Sequence, residues 1–556
     1  MIKAMKEERR GLYIAVLFVF SLLLYSYTLG NGFVWDSEMV ILEDPTIRDF
    51  SYVPSYFTED TLRHTVEKSE GVYTLKYYRP FMKVFYLIEY KFFGTNPIGY
   101  HAVSVFLNAL VVVICFLFVL EITGNAKVAF VSSIIYTVNP ARAEVVNWVN
   151  SQSNILFALF CMLSLLCYHR KRYVLSLAGF GAALLIRETA ILLPAILILY
   201  EFLVGGQKGL KGYAKILLFF AVAGMYLIIR QLVVGAPLIT DAGIFTLFNT
   251  IAVILKRYVK IFFLPDAPVT IYPAEMFTAL SSEVLIAYFF LAVMVLLGIF
   301  LWIKKRDHIF WYLWFFAWMV PGFNVGKFAD YLMAEKGLYL TSLGFCVMIA
   351  SVMESLRMKN LINIILIVSI VFSHSWMTFS RSFYWKDTVT YLEKVSEFAP
   401  DMPLIHYSLG NAYSSRGRHD MAIARFKRAI KLKPAVSEAY HALGNEYAKK
   451  GQYELSLREF QNAVRMDPNN SWAYNNMGNV YIIMRDIDMA VSAFKKAIKS
   501  DPENPQPYYN IGMLMEQSGE IQSALSYYKK YLSLAPKPPP GVVGYINEFE
   551  AKTKKR

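Results

Sequence analysis

The sequence predicts an all-α protein in two parts, a polytopic membrane bundle of about eleven helices followed by an α-solenoid. Three observations carry this. The 556 residues are 56% hydrophobic and only 18% charged, against roughly 25% charged in average usage, which excludes an ordinary soluble enzyme. Apolar residues gather before about residue 380 in recurring runs, each near the roughly 20 residues that a bilayer core requires. From residue 401 the chain turns polar and repeats with a 34-residue period.

The first apolar run, Gly11 to Leu29, follows Lys3, Lys6, Arg9 and Arg10. No small-residue cleavage site follows it, so it reads as a retained helix with a cytoplasmic N-terminus rather than a signal peptide. Further spans are expected at about 98–122, 126–140, 153–168, 173–187, 189–204, 215–234, 283–303, 309–325, 338–356 and 361–379. Alternate loops hold Lys127, then His169-Arg170-Lys171-Arg172, then Lys208, Lys211 and Lys215, then Lys304-Lys305-Arg306, then Arg357 and Lys359. All fall on the cytoplasmic side if the N-terminus does, as the positive-inside rule demands. The opposite loops hold Asp36, Glu38, Glu144, Asp330 and Glu335. An odd number of spans places the polar C-terminal part outside the cytoplasm. The segment 249–264 carries Lys256, Arg257 and Lys260, and a crossing there breaks the charge alternation. It is expected to be an interfacial or re-entrant helix on the outer side.

In the polar part, Gly410, Gly444, Gly478 and Gly512 keep register with Tyr413, Tyr447 and Tyr481, with Phe426, Phe460, Phe494 and Tyr528, and with Ala429, Ala463 and Ala497. Pro434, Pro468, Pro502 and Pro536 close each unit. This is the tetratricopeptide pattern of paired helices. The expected organisation is a membrane domain over 1–380 with a first outer loop at 30–97, a linker helix over 381–400, four repeats over 401–536, and a capping helix with a basic tail over 537–556. Tyr407, His441, Asn475 and Tyr509, with Asn411, Asn445 and Asn479 one turn on, are placed on the concave face. There they could bind an extended acceptor peptide; the competing reading is that Asn simply belongs to the repeat consensus. The net charge of +14 divides between cytoplasmic loops and a repeat part with 22 Lys+Arg against 15 Asp+Glu, so no nucleic-acid partner is implied.

Chemistry is therefore sought in the membrane part. The loop after the first span reads Asn31-Gly32-Phe33-Val34-Trp35-Asp36-Ser37-Glu38. Its two carboxylates are placed to deprotonate an acceptor or hold a metal. Other outer loops hold Tyr78-Arg79-Pro80, Asn139-Pro140-Ala141-Arg142-Ala143-Glu144, Arg187-Glu188, and Glu335-Lys336-Gly337-Leu338-Tyr339. Charge at membrane depth is costly and usually lines a pathway or site. Its recurrence on one side points to a cavity for an anionic ligand. Against this, Arg187 and Glu188, or Glu335 and Lys336, could simply neutralise each other. His101 and His374 lack partner ligands at metal spacing, so zinc is not expected. Cys115, Cys161, Cys167 and Cys346 fall in spans, and no disulfide framework is implied.

Tyr78-Arg79-Pro80 followed by Gly94, Asn96-Pro97, Gly99-Tyr100-His101 and Asn108-Ala109 resembles the transmembrane O-mannosyltransferases with tetratricopeptide tails and their prokaryotic relatives. So do Asn139-Pro140 with Glu144-Val145-Val146, Arg187-Glu188-Thr189, the stretch from Ala334 to Gly344, and Arg381 with Trp385-Lys386-Asp387 leading into the repeats. The resemblance implies a GT-C fold and an inverting transfer of a hexose from a polyprenyl or dolichyl phosphate on the outer leaflet. By it, Asp36 is the general base, with Glu38 as the competing base. Arg79, Arg142, Arg187, Lys336 and Arg381 are candidates for the donor phosphate, and Glu144, Glu188, Glu335 and Tyr339 line the site. The sequence departs from the family at Ser37, which separates two carboxylates usually adjacent, at Asn139, where relatives commonly have His, and at Ser151-Gln152, where they often have Gly-Arg. These departures weaken the implication of mannose and leave a divalent metal open. No Gly-rich nucleotide loop occurs, which suits a lipid-linked donor better than a nucleotide sugar. The implied partners are that donor, membrane lipids, and an extracytoplasmic protein Ser/Thr acceptor guided by the repeats. The short repeat array favours a prokaryotic plasma membrane over the ER. The alternative reading is a membrane-anchored tetratricopeptide scaffold without catalysis. A lipid-linked sugar transporter fits less well, because its site belongs near the midplane.

Overall fold

A computed structural model describes residues 2–61, 77–205, 210–235, 243–263, 271–273, 277–319, 331–355, 360–535 and 538–555. Lys208, Asp330, Arg357, Lys359 and Pro536, named above, lie outside the described residues. The chain forms two compact units, one reaching Pro400 and one spanning Asp401–Arg556.

In the first unit every segment expected to span is helical over its described residues apart from Asn139 and Arg187 at segment ends. Among the described residues, eight helices are long and apolar enough to cross a membrane, from Arg10–Gly30 to Leu361–Trp385. Ala126–Val138 and Tyr173–Ile186 are shorter apolar helices, and Arg306–Met319 covers the described part of the remaining segment. Local chemistry places the boundaries. Asn96 caps Pro97–Thr123 by accepting from the Ile98 N–H at 3.1 Å, and Pro97 supplies a first helical residue with no N–H to satisfy. Gly124 ends that helix at φ +63°, a left-handed conformation that glycine adopts without steric cost. Asn125 then accepts from Lys127 and Val128 N–H to start Ala126–Val138. The result is a tight hairpin.

Ile244–Phe263, expected to lie at the interface, is a separate helix whose Lys256 and Arg257 both reach Glu283 at 3.3 and 3.1 Å. One departure from the all-α reading is a two-stranded antiparallel ribbon, Ile271–Pro273 against Tyr331–Ala334. Neither strand shows the alternating run of four to eight residues that marks a strand in sequence. The ribbon matters because its second strand leads directly into Glu335-Lys336. Behind it, Leu338–Ser355 packs on Ala126–Val138 and Arg306–Met319. Gly344 permits this approach, since a Cβ there would meet the Trp311 carbonyl oxygen at 2.3 Å.

The second unit pairs Pro403–Ser415 with His419–Leu432, Ser437–Lys449 with Tyr453–Met466, Ser471–Ile483 with Ile487–Ser500, and Gln506–Gln517 with Ile521–Leu534. Pro540–Lys555 follows as a last helix. The periodic glycines have a steric reason: a Cβ on Gly444 would meet the Phe460 ring at 2.6 Å, and one on Gly478 the Phe494 ring at 2.5 Å. Ser437 and Ser471 tie the two helices of their own pairs, their hydroxyls donating to the Ala463 and Ala497 carbonyls at 2.9 Å, and each accepts from the next repeat, from the Asn470 amide at 2.9 Å and the Asn504 amide at 3.0 Å. The turn within each pair needs a positive φ, supplied by Gly417, Gly451 and Gly519; in the third repeat Arg485 takes that place at φ 63°.

Two substitutions test this packing by thermal unfolding of the repeats followed by circular dichroism. Gly444→Ala is expected to destabilise them by ~1–3 kcal/mol through overpacking against Phe460. Arg485→Gly is expected to raise stability by ~0.5–1 kcal/mol, because relief of the left-handed penalty exceeds the entropy cost of glycine.

Candidate active site

The Asp36 loop is held from two sides. The Gly32 N–H donates to the Lys386 carbonyl at 2.9 Å, and the Trp35 N–H donates to the Thr388 hydroxyl at 2.8 Å. That hydroxyl donates in turn to Glu38 at 2.6 Å. Trp35 stands at φ 55°, an uncommon conformation for a bulky residue. Its ring stacks on Trp148, Trp148 stacks on Trp385, and Trp385 stacks on Tyr391, with centroids 5.9, 5.7 and 4.4 Å apart. This aromatic column joins the loop to the segment that precedes the repeats.

Asp36 is only partly buried, and both its oxygens accept hydrogen bonds. The Trp148 indole N–H donates to Oδ1 at 2.9 Å, and the Asn150 amide donates to Oδ2 at 2.6 Å. The Tyr86 hydroxyl donates to the Asn150 Oδ1 at 3.1 Å and so orients the amide. Ser37, which separates the two carboxylates, accepts from the Asn150 N–H at 3.1 Å. Burial lifts the Asp36 pKa to about 6, against the opposing pull of Lys336 and of the Asn150 and Trp148 bonds. Asp36 and Glu38 thus turn to different partners. Among the described residues no group of three or more metal-ligating side chains occurs.

The five cations proposed for a phosphate separate into two groups. Arg79 forms a bidentate pair with Glu188 at 2.9 and 2.5 Å and covers the Tyr77 ring. Arg381 forms a buried bidentate pair with Glu335, both bonds 2.8 Å. Arg142 is fully buried, donating to Asn108 Oδ1 and to the Tyr136 carbonyl. Its guanidinium lies 3.8 and 4.5 Å from the Tyr136 and Tyr339 ring centres, and the Tyr339 hydroxyl also donates to Asn108. These three charges are spent inside the protein. In this structure the hydrogen bonds of Glu188 and Glu335 go to Arg79 and Arg381, while the charge of Arg187 also acts on Glu188.

Arg187 and Lys336 both line an open pocket with Asn154, Thr189, Trp318 and Tyr339. Arg187 donates to Ser153 at 3.2 Å, and the Lys336 ammonium sits 4.8 Å from the Trp148 ring centre. Lys336 therefore stands between this pocket and the indole that holds Asp36. Its own N–H donates to Glu144 Oε2 at 2.8 Å. Burial pushes the Glu144 carboxyl above the usual range, against the pull of Lys336.

Trp148, Asn150 and Trp318 were not singled out in the sequence. A signal existed for the first two: they sit two residues apart, between Glu144 and the next span. Trp318 looks like any apolar helix residue until its neighbours are known.

In the repeats, the residues assigned to the concave face divide by burial. His441 and Asn475 are buried, and Tyr407, His441 and Tyr509 pack on Phe426, Phe460 and Tyr528 inside their own helix pairs. The Asn476 amide lies 2.9 Å from both His441 Nε2 and Asn445 Oδ1. The Asn510 amide donates to Asn475 and Asn479 at 2.9 and 3.1 Å. The ladder therefore ties one repeat to the next. Asn411, in the first repeat, is exposed.

Glu335→Ala leaves Arg381 buried without its carboxylate and is expected to cost ~3–5 kcal/mol. Thermal unfolding of the detergent-solubilised chain checks this.

Tetratricopeptide repeat families match residues 410–449, 444–482, 471–504 and 505–538. A protein O-mannosyl-transferase of Caenorhabditis elegans is 22% identical over 76% of this chain and 63% of its own length. The protein O-mannosyl-transferases TMTC3 and TMTC1 of Homo sapiens are 21% and 22% identical over 74% and 75% of this chain and 50% and 55% of theirs. The chain thus spans about half to three-fifths of the length of these relatives. It carries tetratricopeptide repeats in its C-terminal part and is similar, over about three quarters of its length, to protein O-mannosyl-transferases.

Proposed function

We propose that the chain is an inverting glycosyltransferase of the GT-C type. It moves a hexose, with mannose indicated by the names of its relatives, from a polyprenyl or dolichyl phosphate to a protein Ser/Thr hydroxyl. It is a multi-pass membrane protein with a cytoplasmic N-terminus and extracytoplasmic repeats that recruit the acceptor, in a prokaryotic plasma membrane or the ER.

The observation that carries this reading is a carboxylate with pKa lifted to about 6, coupled through Lys336 to a pocket lined by two cations. A general base works best when its pKa lies near the operating pH. Asp36 takes the acceptor proton as the hydroxyl oxygen attacks the anomeric carbon. The bond from that carbon to the phosphate oxygen breaks, and its electron pair leaves on the phosphate. Arg187 and Lys336 hold the negative charge that develops there.

Asp36→Asn is expected to lower transfer of mannose from polyprenyl phosphate to an acceptor peptide by roughly 10²-fold or more. Because burial raises the folded pKa, ionising Asp36 costs stability, a cost that grows as pH rises from its ordinary value towards 6. The Asn variant therefore stays folded at neutral pH. In the wild-type chain the rate rises with pH through about 6 and then levels, since the protonated carboxyl accepts no proton. A flat profile between pH 5 and 7 would contradict the assignment of the base.

A further inference from the structure

The pocket that holds Arg187 and Lys336 also contains two polar groups with nothing to do in the protein. Trp318 is 4% exposed, yet its Nε1–H has no acceptor among the described residues. The Thr189 hydroxyl is likewise buried and without a partner among the described residues. Both residues line the pocket. Other lining groups are already satisfied: the Thr341 hydroxyl donates to the Gly337 carbonyl at 2.7 Å, and the Tyr339 hydroxyl donates to Asn108. On the helix that carries Trp318, the Trp314 indole donates to the Leu340 carbonyl at 3.1 Å. The orphaned N–H is therefore particular to the residue that faces the cavity.

The Trp318 ring is held by packing. Phe157 meets the Trp318 ring edge-on at 5.5 Å, and Trp314 meets it at 5.8 Å. An indole nitrogen only donates, and a buried donor left unsatisfied costs free energy that a ligand acceptor recovers. Among the described residues no carboxylate lines the pocket. Two cations and the side chains of Trp318 and Thr189 line it instead, and a phosphate oxygen only accepts.

We propose that Trp318 and Thr189 are uncharged binding residues for the phosphate of the lipid-linked donor, acting beside Arg187 and Lys336. This rests on the transferase reading above and assigns the pocket to the phosphate rather than to the sugar. The two neutral donors hold non-bridging oxygens, while the cations balance charge. A neutral prenyl alcohol of the same length offers no such acceptors.

The test uses the full chain in detergent, with a polyprenyl monophosphate as probe and the matching polyprenyl alcohol as control. Trp318→Phe keeps an aromatic side chain and removes the N–H together with part of the packed indole. Polyprenyl phosphate is expected to bind this variant roughly tenfold more weakly, the loss typical of one hydrogen bond to a charged group. Binding of the alcohol stays unchanged, while the ligand-free melting temperature falls through the lost packing. A merely structural tryptophan predicts the same loss of stability with unchanged phosphate affinity. Thr189→Val gives an independent reading should Trp318→Phe fold poorly; weaker phosphate binding at unchanged stability supports the assignment, and wild-type affinity overturns it. If the wild-type chain binds the phosphate and both variants bind it equally well, the two residues are not donors and the transferase reading stands. If the wild-type chain gains nothing from the phosphate over the alcohol, that reading and this inference fall together.

Discussion

The site depends on the pair of hydrogen bonds that Trp148 and Asn150 donate to Asp36. They join the loop after the first span to the segment before the helix Gln152–His169. The aromatic column continues from the same tryptophan to Trp385 and Tyr391. Trp148 thus has two tasks. Its indole edge grips the carboxylate, while its face stacks against Trp35 and carries the Lys336 ammonium. A carboxylate held by two donors keeps its orientation, yet burial still lifts its pKa to about 6, near the range in which a proposed general base works best.

The same low-dielectric surroundings decide which cations are available to a ligand. A buried guanidinium needs a partner, and the protein provides one for Arg79, Arg142 and Arg381 in Glu188, Asn108 and Glu335. These bonds join chain segments far apart in sequence and brace the bundle. Replacing any one partner strands a charge rather than freeing a ligand site. Lys336 and Arg187 lie instead where an open pocket meets the Trp148 side of the site, and there positive charge can meet a substrate.

Much of this was legible in the sequence. Spans follow from apolar length, and the repeats follow from a 34-residue register in which glycine faces an aromatic ring. Asp36 and the charged pairs stood out because charge is rare near a membrane. Partnership was not legible, because it is a three-dimensional property: adjacency in sequence suggested Arg187 with Glu188, whereas Glu188 turns to Arg79, 109 residues away. The Asn positions of the repeats looked like a peptide ladder, but their amides are consumed between neighbouring repeats. Trp318 carried no polar signal, since its importance lies in an N–H that lacks an acceptor. The ribbon that delivers Glu335 and Lys336 escaped because strands of three and four residues leave no periodicity.

The central claim is that Arg187 and Lys336 serve the ligand while Arg79, Arg142 and Arg381 serve the fold. An experimental density map of the chain in lipid nanodiscs with polyprenyl phosphate tests it most directly. The account predicts phosphate density in the pocket within contact of Arg187 and Lys336, with Arg79 still on Glu188 and Arg381 still on Glu335. Phosphate bound by Arg79 or Arg381, with the carboxylate partner released, would contradict it.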